Sequence, residues 1–291
     1  MFTMMKASEF AGAFASTLKS AVKIALQSRR TRRPAGAPQG RGIVVLANGP
    51  SLRQTIVENS AALAAMPTLA VNFMANSPEM ALLKPRYYVL ADPFFFEGID
   101  HDNVKALWRN LASVSWPMTL FVPARRLAAA RRLLGDCGVE FATFNFVGAE
   151  GFGWFERLAY GRGLAMPRPR NVLIPALMAA IASGYKEIYI TGADHSWMET
   201  LRVDDENHTV SVQPHFYKDS EAEKTRSVTE YRGYHLHDII YSFYVAFRSY
   251  HRLERFAAGA GIDIFNSTPG SYIDAFRRRP LPGEETLEKR Q

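Results

Sequence analysis

Six of the seven histidines follow residue 194, so most of the groups that titrate near neutral pH lie late in the chain. His195 comes directly after Asp194, where a protonated ring would bind phosphate and a neutral ring would hold the carboxylate by a hydrogen bond. His215 and Tyr217 lie in a polar segment and are candidate ligand contacts. Asp194, His195 and His215 include no pair with the spacing of helical metal ligands, so we predict no metal site.

Short polar side chains follow each of five apolar runs that are typical of strands. Because the carboxyl ends of parallel strands meet at one edge of a sheet, these side chains are expected to converge on one crevice. The same residue types also end strands wherever a turn needs them, so the expectation depends on the whole set. The set comprises Asn48, Gly49, Pro50, Ser51, Asn72, Asp92, Asp194, His195 and residues 266–268.

The turn at residues 48–51 has a chemistry that suits an anion. It is neither a G-x-G-x-x-G fingerprint nor a phosphate-binding loop that ends in Gly-Lys-Ser/Thr. Gly49 allows the backbone to approach a ligand closely, and a helix that begins near Ser51 would direct its first N–H groups at a negative charge. Asn48 supplies both a donor and an acceptor.

The apolar runs alternate with helix-like segments, which is typical of a mostly parallel sheet covered on both faces. We predict an α/β fold with a single Rossmann-like, doubly wound sheet in three α/β/α layers. Helices are predicted over residues 5–28, from about Ser51, and over residues 124–134, 171–183 and 237–258. Strands are predicted at residues 43–47, 68–71, 87–91, 118–122, 139–147, 187–192 and 262–266.

Composition divides the chain into three parts. Residues 1–41 form a basic amphipathic helix and linker, residues 42–275 a ligand-binding domain, and residues 276–291 a charged tail. Residues 196–234 are polar with little periodicity, which predicts a lid-like insertion over the crevice. Aromatic residues at mixed helical spacing within 237–258 indicate core packing or a subunit interface.

Charge is distributed unevenly along the 291 residues, which carry a formal net charge of +7. Residues 1–41 hold eight basic residues and one acidic residue, while the remaining 27 basic and 27 acidic residues cancel. A neutral body argues against a nucleic-acid groove. The lone Cys137 excludes an intramolecular disulfide and favours a reducing, cytoplasmic compartment.

The N-terminal segment combines an apolar face with a basic cluster. Five apolar residues recur every four positions from Phe10 to Leu26, and four arginines follow within residues 29–33. Residues 5–33 are therefore predicted to adsorb to an anionic membrane surface, at the inner face of the cytoplasmic membrane. A helix packed on its own domain, or on a partner subunit in a homo-oligomer, is the second interpretation, and a targeting segment is the third.

Two blocks resemble the bacterial sialyltransferases of glycosyltransferase family 42. Residues 44–52 (Val-Val-Leu-Ala-Asn-Gly-Pro-Ser-Leu) look like the family's opening strand and turn. Residues 184–194 (Gly-Tyr-Lys-Glu-Ile-Tyr-Ile-Thr-Gly-Ala-Asp) resemble its second hallmark, a helix end, strand and Gly-x-Asp turn. The same blocks occur in a wider group that includes archaeal 6-hydroxymethylpterin pyrophosphokinases and flagellin-modifying transferases. The resemblance covers about residues 42–275.

The resemblance implies a metal-independent, inverting transferase whose donor is usually a CMP-activated nonulosonic acid. Asn48, Gly49 and Ser51 would contact the nucleotide or its phosphate. Asn72 would contact the nucleotide or the sugar, and Asn171 falls near a position that binds nucleotide. The donor would be a substrate, so no cofactor is implied.

The family places its general base just before a long helix late in the chain. This chain has His235 and His237 there, with Asp238 beside them to orient a neighbour or cap the helix. A histidine suits this work because its ordinary pKa lies near neutrality. The resemblance therefore makes His235 the first candidate for the catalytic base and His237 the second.

The chain departs from the family pattern at two places. Asp92 stands where the sialyltransferases have an asparagine, and a carboxylate there would repel an anionic donor unless it met a sugar hydroxyl or a metal. The family's two phosphate-binding tyrosines are not evident after Asp194, although Tyr217, Tyr231 and Tyr234 are possible substitutes.

Together these features predict a glycosyltransferase of bacterial surface-glycan synthesis (lipopolysaccharide or capsule). It would use a nucleotide-sugar donor and a glycan or glycolipid acceptor. One alternative is a Mg²⁺-dependent nucleotide diphosphotransferase with Asp92 and Asp194 as metal ligands. The other is a nucleotide-binding module without catalysis.

Overall fold

The computed structural model describes residues 7–38, 40–211 and 233–283. Within them, an eight-stranded sheet has the order β10-β9-β6-β1-β2-β3-β4-β5, and neighbouring strands are parallel. The strands are β1 (Gly42–Leu46), β2 (Thr68–Val71), β3 (Tyr87–Val89), β4 (Thr119–Pro123), β5 (Glu140–Phe144), β6 (Glu187–Thr191), β9 (Asp263–Asn266) and β10 (Arg277–Arg278). A separate antiparallel pair joins β7 (Arg202–Val203) to β8 (Thr209–Val210).

Helices cover both faces of the sheet. They are α1 (Ala7–Gln27), α2 (Leu52–Glu58), α3 (Ser60–Ala65), α4 (Glu79–Leu83), α5 (Phe94–Glu97), α6 (Asp102–Ala112), α7 (Leu127–Leu134), α8 (Gly153–Gly161), α9 (Leu173–Ala182) and α10 (Leu236–Gly259). Short 3₁₀ turns occupy Asn72–Asn76, Ala124–Arg126 and Trp197–Thr200. The predicted α/β fold with three layers is confirmed.

The strands have continuous apolar runs because both of their faces are buried. Ile43 and Val45 of β1 join the apolar cluster beneath α8, α9 and α10. Val44 and Leu46 alternate with them and join the cluster beneath α2, α3, α6 and α7. All four side chains are fully buried, so β1 is at the centre of the domain.

The strand order places the predicted polar residues on one edge. The direction in which successive strands are added to the sheet reverses at β1. Strands β2 to β5 lie on one side of β1, and strands β6, β9 and β10 lie on the other. Asp194, Asn48, Asn72 and Asp92 follow β6, β1, β2 and β3, which are consecutive neighbours. The predicted crevice therefore lies where ligands bind in doubly wound sheets, at the topological switch point between β1 and β6.

α1 packs on the domain through Ile24, which contacts the apolar cluster beneath α8, α9 and α10, and through small polar side chains. The Ser20 hydroxyl donates to the Glu150 carbonyl at 2.8 Å and accepts from the Glu150 N–H at 2.9 Å. The Phe152 N–H donates to the Thr17 hydroxyl at 3.0 Å. A Cβ on Gly151 would lie 2.1 Å from that hydroxyl oxygen, so a glycine is required for this close approach. The interpretation that the helix packs on its own domain is confirmed, and membrane contact stays a prediction.

The segment after α1 is held by backbone hydrogen bonds. The buried Asn145 side chain accepts from the Arg29 N–H at 2.8 Å and donates to the Arg29 carbonyl at 2.9 Å. Arg125 donates to the carbonyls of Leu26 and Gln27 at 2.8 and 2.9 Å, which caps the C-terminus of α1 with a positive charge. The basic segment is thus fixed to the body.

Two predicted segments, the lid-like insertion and the C-terminal tail, lie partly outside the described residues. The lid-like insertion contributes the turn at Trp197–Thr200 and the β7–β8 pair, while residues 212–232 lie outside the described residues. The predicted C-terminal tail begins at Phe276, and its next two residues, Arg277 and Arg278, extend the sheet by pairing with β9. No helix among the described residues is long and apolar enough to cross a bilayer.

Candidate active site

Two turns interlock at the switch point. The Ala47 N–H donates to the Thr191 carbonyl at 2.9 Å, and the Gly49 N–H donates to the Gly192 carbonyl at 2.7 Å. A Cβ on Gly49 would lie 2.5 Å from the Gly192 carbonyl oxygen. Gly192 has a φ of +69° and a Cβ there would meet the Ala47 carbonyl oxygen at 2.4 Å. Each turn therefore requires its glycine because the two backbones touch.

Asp194 occupies the space that the sequence suggested for an anion. Its Oδ2 accepts from the Ser51 hydroxyl at 3.0 Å and lies 3.4 Å from the Ser51 N–H. A Cβ on Gly49 would fall 2.0 Å from the same oxygen. The N–H groups of Gly49 and Ser51 are thus directed at protein oxygens, so the predicted phosphate contacts of this turn are not free.

Asn48 and Asn72 carry the polar groups that remain available. The buried Asn48 amide nitrogen donates to the Val71 carbonyl at 3.0 Å, while Asn48 Oδ1 has no partner among the described residues. Asn72 has a φ of +52°, a left-handed conformation that asparagine tolerates better than most residues. Its partly exposed side chain makes no hydrogen bond within the described part of the chain. The two amides stand at adjacent strand ends.

A third turn, after β9, supports the Asp194 turn. The Ala193 N–H donates to the Thr268 hydroxyl at 3.1 Å, and the Ser271 hydroxyl donates to the Ala193 carbonyl at 2.6 Å. The Tyr272 N–H donates to the Asp194 carbonyl at 2.9 Å. Residues 266–268 therefore lie at this edge as predicted. There, Thr268 and the following residues Ser271 and Tyr272 hold the Asp194 turn by hydrogen bonds.

His195 forms a buried network with two residues that are distant in sequence. Its Nε2 lies 2.6 Å from the Tyr250 hydroxyl and 3.4 Å from Asn171 Nδ2, which itself donates to Tyr250 at 2.7 Å. Because the Tyr250 oxygen accepts from Asn171, its own hydrogen is available for Nε2, which places the ring proton of His195 on Nδ1. Both contacts of the His195 ring in this network use Nε2, and Nδ1 takes no part in it.

Burial lowers the pKa of His195 from 6.5 to about 3. The ring is therefore neutral at physiological pH, and the expected role as a protonated phosphate ligand is not supported. The second expected role, a hydrogen bond from His195 to the Asp194 carboxylate, is not supported either, because the ring contacts Tyr250 and Asn171. His195 is therefore a buried, uncharged ring whose Nε2 contacts Tyr250 and Asn171.

Aromatic residues form one wall beside this network. The Trp197 ring lies 4.2 Å from the His195 ring and 5.5 Å from the Phe243 ring of α10. Phe247 packs against both His195 and Tyr250. Core packing, one of the two predicted roles of these α10 aromatics, holds for Phe243 and Tyr250, which are buried. The other predicted role, a subunit interface, stays a prediction. Tyr241 and Tyr244 are exposed.

Asp92 lies further along the same edge and is exposed. Its Oδ1 accepts from the Phe94 N–H at 2.8 Å at the start of α5. Asp194 and Asp92 follow strands that are three positions apart in the sheet, which corresponds to about 14 Å. The two carboxylates are therefore not neighbours.

His235 and His237 lie at the exposed N-terminus of α10. Their rings stack at 5.7 Å, and Asp238 caps the helix by accepting from the His235 N–H at 3.1 Å. Tyr250 lies about 20 Å further along the helix axis. Among the described residues, no hydrogen bond or ring contact joins His235 to the Asp194 turn. His215, Tyr217 and Tyr231 lie outside the described residues, and Tyr234 is exposed.

Tyr250 and Tyr272 are site residues that the sequence did not reveal. A buried tyrosine hydroxyl needs a partner, but residues 171, 195 and 250 show no common spacing. Elsewhere in the described part of the chain, Asp204, Glu206 and His208 bring three potential metal-ligand atoms within 4.8 Å of one another. This group lies on the β7–β8 turn, where Asp204 Oδ1 already accepts from the His208 N–H at 2.7 Å.

Comparison with known proteins gives little guidance. No family model matches the chain, and no curated protein matches it. Among solved structures, the chain is similar to the MAf glycosyltransferase from Magnetospirillum magneticum AMB-1, with 11% identity and a TM-score of 0.47. The match covers 93% of this chain and 39% of that protein, so the chain spans well under half of its length. So distant a likeness does not define an activity.

Replacing Gly49 tests the interlock. We expect Gly49→Ala to lower the free energy of unfolding by about 1–3 kcal/mol, because the new methyl group overlaps Asp194 and the Gly192 carbonyl. Urea unfolding measures this change. Gly138→Ala is the matched control, since a Cβ at Gly138 meets no atom within 4 Å. Equal stability of the two variants would contradict the interlock.

Replacing His195 tests its neutral state. Since the folded pKa of about 3 lies below the unfolded value of 6.5, only the unfolded chain binds this proton between those pH values. Stability is therefore full above about pH 6.5 and falls on acidification, by up to about 1.4 kcal/mol per pH unit. His195→Asn, which suits the φ of +55°, should reduce this fall.

The measurement is urea unfolding of parent and variant at about pH 7.5 and about pH 5. The exposed His101, changed to Asn at the N-cap of α6, is the control. It should keep the parent's pH dependence. If His195→Asn keeps it as well, His195 is not buried in the neutral form.

Proposed function

We propose that the chain is a glycosyltransferase that takes a sugar from a nucleotide-activated donor. The observation that carries the proposal is the buried Asn48 Oδ1, unpartnered among the described residues, at the switch point of a doubly wound sheet. An unpaired buried amide oxygen costs about 1–3 kcal/mol. The crevice is therefore suited to a ligand that donates a hydrogen bond there, as a ribose hydroxyl, a base amino group or a sugar hydroxyl does.

The donor that we propose is a CMP-activated nonulosonic acid. Support comes from the two sequence blocks that resemble the sialyltransferases, since residues 44–52 and 184–194 contact each other at the switch point. Near this point we propose two uncharged hydrogen-bond donors, the Asn72 amide and the Nδ1–H of the buried His195 ring. In the proposed reaction they hydrogen-bond the leaving nucleotide phosphate. The acceptor would be a glycan or glycolipid of the bacterial surface.

Inversion requires a base that removes the proton of the acceptor hydroxyl. We propose His235 for this role, with His237 as the second candidate. Support comes from the resemblance, because the family's base stands just before this helix. His235 lies about 20 Å along the helix axis from Tyr250, so the role requires the N-terminus of α10 to approach the bound donor. Because His235 lies at the outer end of this helix, the acceptor would enter from that side.

The Mg²⁺-dependent diphosphotransferase has less support. Its proposed ligands Asp92 and Asp194 are about 14 Å apart by strand spacing, which is too far to share one cation. Asp194 Oδ2 also already accepts a hydrogen bond from the Ser51 hydroxyl. Activity that survives EDTA would favour the glycosyltransferase, and activity that EDTA abolishes would favour the alternative.

A nucleotide screen tests the donor class. Thermal unfolding would be followed with CMP, CDP, UDP, GDP and ATP, with and without Mg²⁺. We expect CMP to raise the melting temperature without Mg²⁺, because a ligand that binds only the folded state stabilises it. Failure of every nucleotide to stabilise the protein would overturn the proposal.

Asn72→Gly makes the screen specific for the site. Glycine keeps the positive φ and removes the amide, so affinity should fall about tenfold while stability changes little. The control is Asn207→Gly, because Asn207 has a φ of +62° on the β7–β8 turn. If both variants bind CMP equally, Asn72 is not a nucleotide contact.

The base is tested by turnover. With an identified donor and acceptor, His235→Ala should lower kcat by about 100-fold or more and leave nucleotide affinity unchanged. His237→Ala is the second variant, and His251→Ala is a control on the exposed side of α10. Turnover of His235→Ala at the parent's rate would remove the assignment, and a loss confined to His237→Ala would transfer it to His237.

A further inference from the structure

α1 is oriented with its apolar side away from the domain. Residues on one side of the helix, among them Ser20 and Thr17, make the contacts with residues 150–152. The large apolar residues lie on the other side and each is more than half exposed, although Phe10, at the border of this side, also contacts Phe152. They are Phe10, Phe14, Leu18, Val22 and Leu26.

The exposed apolar residues form one continuous face. At 100° per residue they span an arc of about 160°, and the alanines that fall within it, such as Ala11 and Ala21, are exposed as well. We call this arc the outer face of α1. Lys19 and Lys23 follow directly at one border of the arc, before the side that contacts the domain. No charged residue interrupts the outer face.

An uncovered face of this kind marks a site of interaction. Soluble proteins rarely expose large contiguous apolar surfaces without a partner. The helix is nevertheless held firmly, since Ser20 bonds to Glu150 twice and Arg125 caps its C-terminus. The outer face is therefore presented rigidly to whatever covers it.

The charge around the outer face identifies the occupant. The side chains of Arg30, Arg32 and Arg33 are exposed, and none forms an ion pair with another described residue. Residues 1–41 carry the whole net charge of +7. A second copy of this chain would bring a second basic cluster against the first, which is repulsive. An anionic surface would instead attract the basic residues of this segment.

We propose that the outer face of α1, together with the arginines of residues 29–33, docks on an anionic phospholipid bilayer. The apolar side chains enter the boundary between headgroups and acyl chains, and the lysines extend to the headgroups. Phe10 packs on Phe152 at 5.3 Å, and the exposed Trp154 follows two residues later. Tryptophan prefers the membrane interface, and we include Trp154 in the proposed docking surface.

The C-terminal end of α1 lies at the same edge of the sheet as the candidate site. Arg125 and Asn145, which hold residues 26–29, lie just beyond the carboxyl ends of β4 and β5. The candidate site lies at the carboxyl ends of β1 and β6 in the same sheet. The C-terminal end of α1 and the candidate site thus share one edge. If the proposed function holds, a lipid-linked acceptor would be within reach of it.

The test is cosedimentation of the full chain with vesicles. One set contains phosphatidylcholine alone, and the other contains phosphatidylcholine with phosphatidylglycerol. We expect binding to the anionic vesicles that weakens as salt is added. Phe14→Gln with Leu18→Gln should weaken it about tenfold or more, because both side chains leave the bilayer. Replacing the four arginines by glutamine should remove the preference for anionic vesicles.

Val57→Gln with Leu82→Gln is the matched control, since both residues are exposed apolar residues on other helices. This variant should bind vesicles like the parent. Equal vesicle binding by the Phe14/Leu18 variant would overturn the proposal. A second outcome would also overturn it: the parent binds no vesicles, and analytical ultracentrifugation shows a dimer of the parent that the Phe14/Leu18 variant does not form. Nucleotide affinity should be unchanged, which separates this test from that of the proposed function.

Discussion

The contact between the turns after β1 and β6 determines the rest of the site. At a switch point the helices leave toward opposite faces, which opens a gap between two adjacent strands. Here the gap is closed at its base by the hydrogen bond from the Gly49 N–H to the Gly192 carbonyl. Neither glycine has space for a side chain, and Asp194 bonds to Ser51 immediately above them. Ligands can therefore contact only what projects beyond this contact.

This constraint makes recognition at the site mainly neutral. A carboxylate already fills the position where a helix start would attract phosphate, and burial keeps His195 uncharged. The groups that remain are the Asn72 amide and the acceptor oxygen of Asn48. Such groups suit hydroxyls and a nucleobase. Under the proposed function, a leaving phosphate would be stabilised by hydrogen bonds and not by ion pairing. The domain's balanced charge outside residues 1–41 agrees with this arrangement.

The sequence predicted the fold well because fully buried parallel strands are continuous apolar runs. Residues 43–46 illustrate this, since every side chain there is buried on one face or the other. β10 was missed because Arg277 and Arg278 show no strand pattern and lie at the sheet edge. Within the site, the strand-end residues were predicted, but their partners were not. Spacing cannot show that Asp194 would occupy the Ser51 turn, or that Tyr250 would reach His195 from another helix.

The N-terminal helix shows the same limit in reverse. Periodicity identified its apolar stripe but could not say which side would face the domain. The domain surface supplies the reason, because residues 150–152 present backbone N–H and C=O groups that need partners. Ser20 and Thr17 satisfy these groups, whereas Phe14 and Leu18 could not. These part-buried backbone groups, together with the core contact of Ile24, account for the side that faces the domain, and they leave the apolar stripe from Phe10 to Leu26 on the outside.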